Sequence, residues 1–170
     1  MILSTFTTIA ISTLMLTNPV NAQAKTLTEN FKNLREDNKL TIEVKIDDRA
    51  ERVNAYFEKR NMPLAGHGKT FVEVADKYGL DWRLLPAIGV RESSGGKRLL
   101  NNNPFGWGSC KIPFKNFNEA IEVVGLNLGG ENPNTARYYK DADLDTILWY
   151  YNGSVIKAYP AEVIAIMNMM

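Results

Sequence analysis

The chain has 170 residues, 45% of them apolar and 23% charged, which is enough to build one hydrophobic core and too apolar for a wholly disordered chain. Lys and Arg number 20 against 19 Asp and Glu, and the net charge of +1 supplies no overall field to draw the protein onto nucleic acid or anionic lipid. One cysteine, Cys110, and one histidine, His67, rule out an internal disulfide, a Cys-x-x-Cys redox pair and the multi-ligand zinc sites, so no metal or cofactor is expected.

Residues 1–24 carry no charged side chain, run apolar from Thr8 to Leu16, and end Ala22-Gln23-Ala24. Small residues at those two offsets suit signal-peptidase cleavage, and the apolar core is too short to span a bilayer. The stretch reads as a signal peptide. Export to the periplasm, cell wall or exterior is expected, with no integral membrane span after cleavage and a monomeric product. An exposed lone thiol fits an exported chain badly, which predicts a buried and inert Cys110.

Residues 25–60 hold nine basic and eight acidic side chains, whereas residues 61–170 hold 11 of each, so the composition shifts near position 60. The first of these stretches reads as a charged connector and the second as the main domain. Within the connector, Thr41 to Ile46 alternates as a short strand would. Arg49 to Arg60 fits a helix burying Val53, Tyr56 and Phe57.

From Thr70 the punctuation is helical. Thr70-x-x-Glu73 has the form of a capping box, and Gly79 can close that helix in a left-handed conformation. Asp81 opens the next one. Asn116-x-x-Glu119 resembles a second capping box, ahead of Phe117, Ile121, Val124 and Leu128 on one face. Leu144, Ile147, Leu148 and Tyr151 form a stripe ending at the turn pair Asn152-Gly153, and Pro160 suits the start of a last helix with Val163, Met167 and Met170. Residues 95–113 carry glycines at 95, 96, 106 and 108, prolines at 104 and 113, and no helical period, which predicts a long loop or small hairpin. The fold class is therefore mainly α, with a small loop or β-hairpin lobe.

Glu92 is the candidate that stands apart. On the helix opened by Asp81, Leu84, Ile88 and Glu92 fall at i, i+4 and i+8, so the carboxyl continues a buried face into the last turn. Pro86 requires the helix to start close by or to bend. Partial desolvation and the negative end of the helix dipole both penalise an ionised carboxylate there, and its pKa is expected to rise as a general acid requires. The other reading is an outward rotation, with pairing to Arg91, Lys97 or Arg98.

The segments Glu92-Ser93-Ser94-Gly95-Gly96-Lys97 and Asn101-Asn102-Asn103-Pro104-Phe105-Gly106-Trp107-Gly108 resemble the active-site stretch of lysozyme-like peptidoglycan-cleaving enzymes, bacterial glucosaminidases and soluble lytic transglycosylases. Tyr151-Asn152-Gly153 and Tyr159-Pro160-x-x-Val163 are similar to motifs that follow in the transglycosylases, and the likeness covers residues 64 to 170. It implies a lysozyme-like helical domain that cuts peptidoglycan glycan strands between N-acetylated amino sugars. Glu92 would be the acid and base, with Ser93, Asn103, Phe105, Trp107, Tyr151 and Asn152 as sugar-binding residues. Two departures leave hydrolase and lyase chemistry open: Trp107-Gly108-Ser109 stands where the transglycosylases have Leu-Met-Gln, and Gly153 follows Asn152 without the intervening alanine. Read from the residues themselves, Phe105 suits core packing and the asparagines suit turns, while Trp107 and Tyr151 fit either core or site. The rival function is an exported, non-catalytic module that binds the cell wall within a secretion or phage-derived assembly.

Overall fold

The computed structural model describes residues 25–32 and 46–170. The signal-peptide reading of residues 1–24 and the strand reading of residues 41–45 lie outside the described residues. The chain divides into two units after Ile46. In the first, residues 25–32 form a helix, α1, with every side chain exposed.

The second unit, Asp47–Met170, holds the core. It begins with α2 (Arg49–Glu58), which buries Val53, Tyr56 and Phe57. The expected helix is thus present, but the compact unit starts at Asp47 and not near position 60. Charge density marks the solvent face of α2, while its apolar face packs against α3 (Gly68–Tyr78). Arg49 ties the two together by bridging Asp47 and Asp76 at 2.7 Å each, and those contacts hold both carboxyls below the usual carboxylate range.

The start of α3 differs from the local expectation. The helix begins at Gly68, two residues before Thr70, because a side chain from another helix caps it. Asn54 Oδ1 of α2 accepts from the backbone N–H of Gly66 at 3.0 Å and of Gly68 at 2.8 Å. Thr70 is left inside the first turn, where its hydroxyl donates to Asn118 Oδ1 at 3.2 Å. The other end follows the local rule, with Gly79 at φ +66 closing α3 in the left-handed region.

Asp81 accepts from the Arg83 backbone N–H at 2.9 Å and opens the turn into α4 (Leu84–Ser93). Pro86 falls in the first turn of α4, where a missing N–H costs no helical hydrogen bond, so the helix needs no bend to accommodate it. Leu84, Leu85, Ala87 and Ile88 are buried. They meet Phe57, Phe71 and Phe105 in the core, with α5 (Phe117–Leu128) contributing Ile121, Val124 and Leu128. Asn116 caps α5 as the sequence predicts, accepting from Glu119 N–H at 2.9 Å. The Glu119 carboxylate reaches back one residue further, to the Lys115 N–H.

After a short helix α6 (Ala136–Tyr139), α7 (Leu144–Leu148) is capped by Asp143, which accepts from Thr146 N–H at 2.8 Å. The helix then widens into a π-helical turn, Trp149–Gly153, before α8 (Tyr159–Met167) returns against α4. Arg91 of α4 pairs with Glu162 of α8 at 2.6 Å. Among the described residues there is no strand: the 94–116 segment is a series of turns, so the hairpin alternative gives way to the loop. No described helix is long and apolar enough to cross a membrane.

Candidate active site

Glu92 reaches its position through the register of α4, two turns beyond Leu84 and Leu85 and one beyond Ile88. The helix stops immediately after it. Ser94 adopts a left-handed conformation at φ +56, and Ser93 braces the break, its hydroxyl donating to Gly89 C=O and accepting from Gly96 N–H, both at 2.9 Å. The basic neighbours do not neutralise the carboxyl. Arg91 is engaged by Glu162, Lys97 donates to the Arg60 carbonyl at 2.7 Å, and Glu92 makes no ion pair among the described residues.

Glu92 is partly buried. Desolvation raises its pKa above the usual glutamate value, opposed by the nearby Tyr159 hydroxyl and by the positive charge of Arg91. The Tyr159 hydroxyl is a neighbour rather than a satisfied partner: among the described residues it and Glu92 Oε1 are both buried without a hydrogen bond. Burial drives the Tyr159 phenol far above its ordinary pKa, so it remains a neutral donor beside the carboxyl.

The second carboxylate oxygen faces the loop. Gly106, at φ +65, passes so close to Glu92 that a methyl group in place of its α-hydrogen would sit 3.1 Å from Oε2. Glycine therefore meets two demands at this position, a left-handed backbone and clearance for the acid. Asn103 imposes the shape of that loop. Its buried amide accepts from the N–H groups of Phe105 at 3.3 Å and Trp107 at 3.1 Å and donates to Trp107 C=O at 2.8 Å. Tyr151, on the π turn, donates to Phe105 C=O at 2.5 Å and stacks on Tyr159 with ring centres 5.9 Å apart. Trp107 leans on Tyr151 at 5.8 Å.

These elements enclose an open cleft of about 500 Å³, lined by Glu92, the 105–109 segment, Tyr151 and Asn152. Of the residues singled out from the sequence, Glu92, Phe105, Trp107, Tyr151 and Asn152 come together here. The Phe105 side chain itself is fully buried and packs edge-on to Phe71 at 6.5 Å, as the core reading of that residue expects. Ser93 and Asn103 do not line the cleft, since both spend their polar atoms on buried backbone groups and act on the site by shaping the turns around it. Cys110, expected buried, is half-exposed on the loop, where Asn101 donates to its carbonyl at 2.9 Å. Ser109, which lines the cleft, and Tyr159, whose hydroxyl neighbours Glu92, are site residues that the sequence alone does not mark. The one signal that could point to Tyr159 is a hydroxyl-tipped ring on the buried stripe it shares with Val163 and Met167.

Chemically, the cleft offers one carboxyl that burial makes easier to protonate and that forms no ion pair among the described residues, facing the 105–109 segment, Tyr151 and Asn152. Among the described residues no group of three or more His, Cys, Asp or Glu side chains could hold a metal. Comparison with models of protein families, with curated proteins and with solved structures finds no match to this chain.

Proposed function

We propose that the protein cleaves the glycan strands of peptidoglycan between N-acetylated amino sugars, with Glu92 as acid and then base. The observation that carries the reading is the state of that side chain: a half-buried carboxyl, biased toward its protonated form, without an ion pair, opening on a cleft large enough for a sugar. The motif resemblance noted above agrees with the placement of Trp107, Tyr151 and Asn152 on the same rim.

In this scheme Glu92 donates its proton to the glycosidic oxygen as the bond to the anomeric carbon breaks, passing through an oxocarbenium-like state. Among the described residues no other carboxylate lines the cleft, and Glu119 and Asp143 are occupied as helix caps. The acetamido oxygen of the cleaved sugar is then the group that bonds to the anomeric carbon. Glu92, now ionised, removes a proton from the acceptor oxygen that displaces it. Water as acceptor makes a hydrolase; the sugar's own 6-hydroxyl makes a lytic transglycosylase. The Tyr151 hydroxyl, committed to the Phe105 carbonyl, holds the loop against the acid and is free of proton transfer.

The test is digestion of purified sacculi with mass spectrometry of the released ends. Wild type should release soluble fragments, and Glu92→Gln should be slower by about 10²–10⁴-fold while keeping its fold. Anhydro ends identify the transglycosylase and reducing ends the hydrolase. A protein that pellets with sacculi and releases nothing is a wall-binding module, and equal rates for the two proteins put the acid elsewhere.

A further inference from the structure

Outside the cleft, three large rings stand in solvent on neighbouring elements. Tyr138 in α6 and Trp149 and Tyr150 in the π turn are 37%, 43% and 47% exposed. Single exposed aromatics are ordinary, but an exposed ring pair, Tyr138 with Tyr150, beside a third exposed ring next in the chain leaves apolar area uncovered as a binding surface does. The rings are also held in place before anything binds. Tyr138 and Tyr150 pack with centres 5.2 Å apart, Lys157 Nζ lies 4.2 Å from the Trp149 ring centre, and the Arg137 guanidinium lies 4.7 Å from that of Tyr138.

The rings connect to the cleft through the buried Tyr139 and along the backbone of the π turn. Trp107 on the cleft rim is 6.4 Å from Tyr139, which is 6.3 Å from Tyr138. Along the chain, Trp149 and Tyr150 immediately precede Tyr151 and Asn152 on the same π turn, so the wall of the cleft and the exposed rings are one piece of backbone.

We propose that Tyr138, Trp149 and Tyr150 form a shelf on which a long glycan strand continues beyond the cleft, its sugar rings lying against the aromatic faces. The inference rests on the reading of the cleft as a glycan site. An apolar ring face with polar edges complements a pyranose, which has the same division. Local charge argues against an anionic membrane as the occupant: Arg137, Lys140 and Lys157 are offset within the same segment by Asp141, Asp143 and Asp145. The shelf makes the protein prefer long strands to short ones.

The experiment uses the full chain carrying Glu92→Gln, so that binding is measured without turnover. Affinities are compared for an N-acetylated tetrasaccharide and for long, peptide-free glycan strands prepared from sacculi. The long strand should bind more tightly. Adding Trp149→Ala and Tyr150→Ala should weaken it by about tenfold with the tetrasaccharide unaffected, and the corresponding Phe changes should retain the preference. Tyr138→Ala provides an independent variant should the double change unfold the chain. Equal affinity for the two lengths, or an unaltered preference in the Ala variants, overturns the shelf and leaves the cleft reading intact. Binding of neither ligand overturns both. Ala variants that lose vesicle binding or self-association, with strand affinity untouched, assign the rings to a membrane or to a second copy and overturn the proposal.

Discussion

The two ends of α4 obey opposite rules. At its start, Leu84, Leu85, Ala87 and Ile88 are almost wholly withdrawn from water and surrounded by apolar neighbours. At its end, on the same helical stripe, Glu92 keeps one oxygen buried without a hydrogen-bond partner and forms no ion pair among the described residues. A carboxylate in that setting lowers stability, whereas Ile88 one turn earlier and the leucines two turns earlier supply it. One helix therefore supports the fold with its first half and holds a reactive group with its second, and the rigidity of the first fixes the position of the second.

Leu85→Ala should break the supporting half with the largest effect on stability, about 2–5 kcal/mol, read as a lowered denaturation midpoint. Glycan release per folded molecule should persist. A loss of specific activity larger than the loss of folded protein would mean the two halves are not separable.

Gly106→Ala should act mainly on the reactive half. The new methyl group meets Glu92 Oε2, and the left-handed backbone costs a non-glycine residue about 1–2 kcal/mol. Crowding further desolvates the carboxyl, so the ionisation governing the base step should move to higher pH as turnover falls. An unchanged pH profile would show that the loop yields and leaves the acid where it was.

The smallest effect concerns stability against pH. Burial raises the folded-state pKa of Glu92 above 4.5, so the folded chain holds this proton more tightly than the unfolded one. The protonated group's contribution is complete below about 4.5 and is lost as pH rises through the folded value. Glu92→Gln, neutral at every pH, should therefore gain melting temperature relative to wild type across that window and hold the gain above it. Parallel melting curves at all pH values would show that the carboxyl is open to water.

Much of this contrast is legible in the sequence because it is local. The spacing of Leu84, Ile88 and Glu92 sets one face, Gly79 ends α3, and the asparagine cap of α5 lies three residues from the N–H that it receives. What sequence reading misses is carried by contacts between distant residues. Asn54 caps α3 from another helix and displaces the expected box at Thr70. The apolar face of α2 outweighs its charge, so the compact unit starts earlier than composition suggests. Ser93 and Asn103 carry the right chemistry for contacting sugars, but hydrogen bonds to buried backbone claim their polar atoms first. Tyr159 meets Glu92 only because α8 folds back on α4.

The π turn at Trp149–Gly153 bears on where the chain tolerates a change of length. A residue gained or lost there would rotate the side chains that follow it within the turn by about 100° around the helix axis, carrying Tyr151 and Asn152 off the cleft wall. The turn-built stretch between α4 and α5 has no such periodic phase to preserve. Insertions in descendants of this protein should accumulate in that stretch outside residues 103–109, which shape and wall the cleft, whereas the five residues after Leu148 should keep their number and Tyr151 and Asn152 their kind.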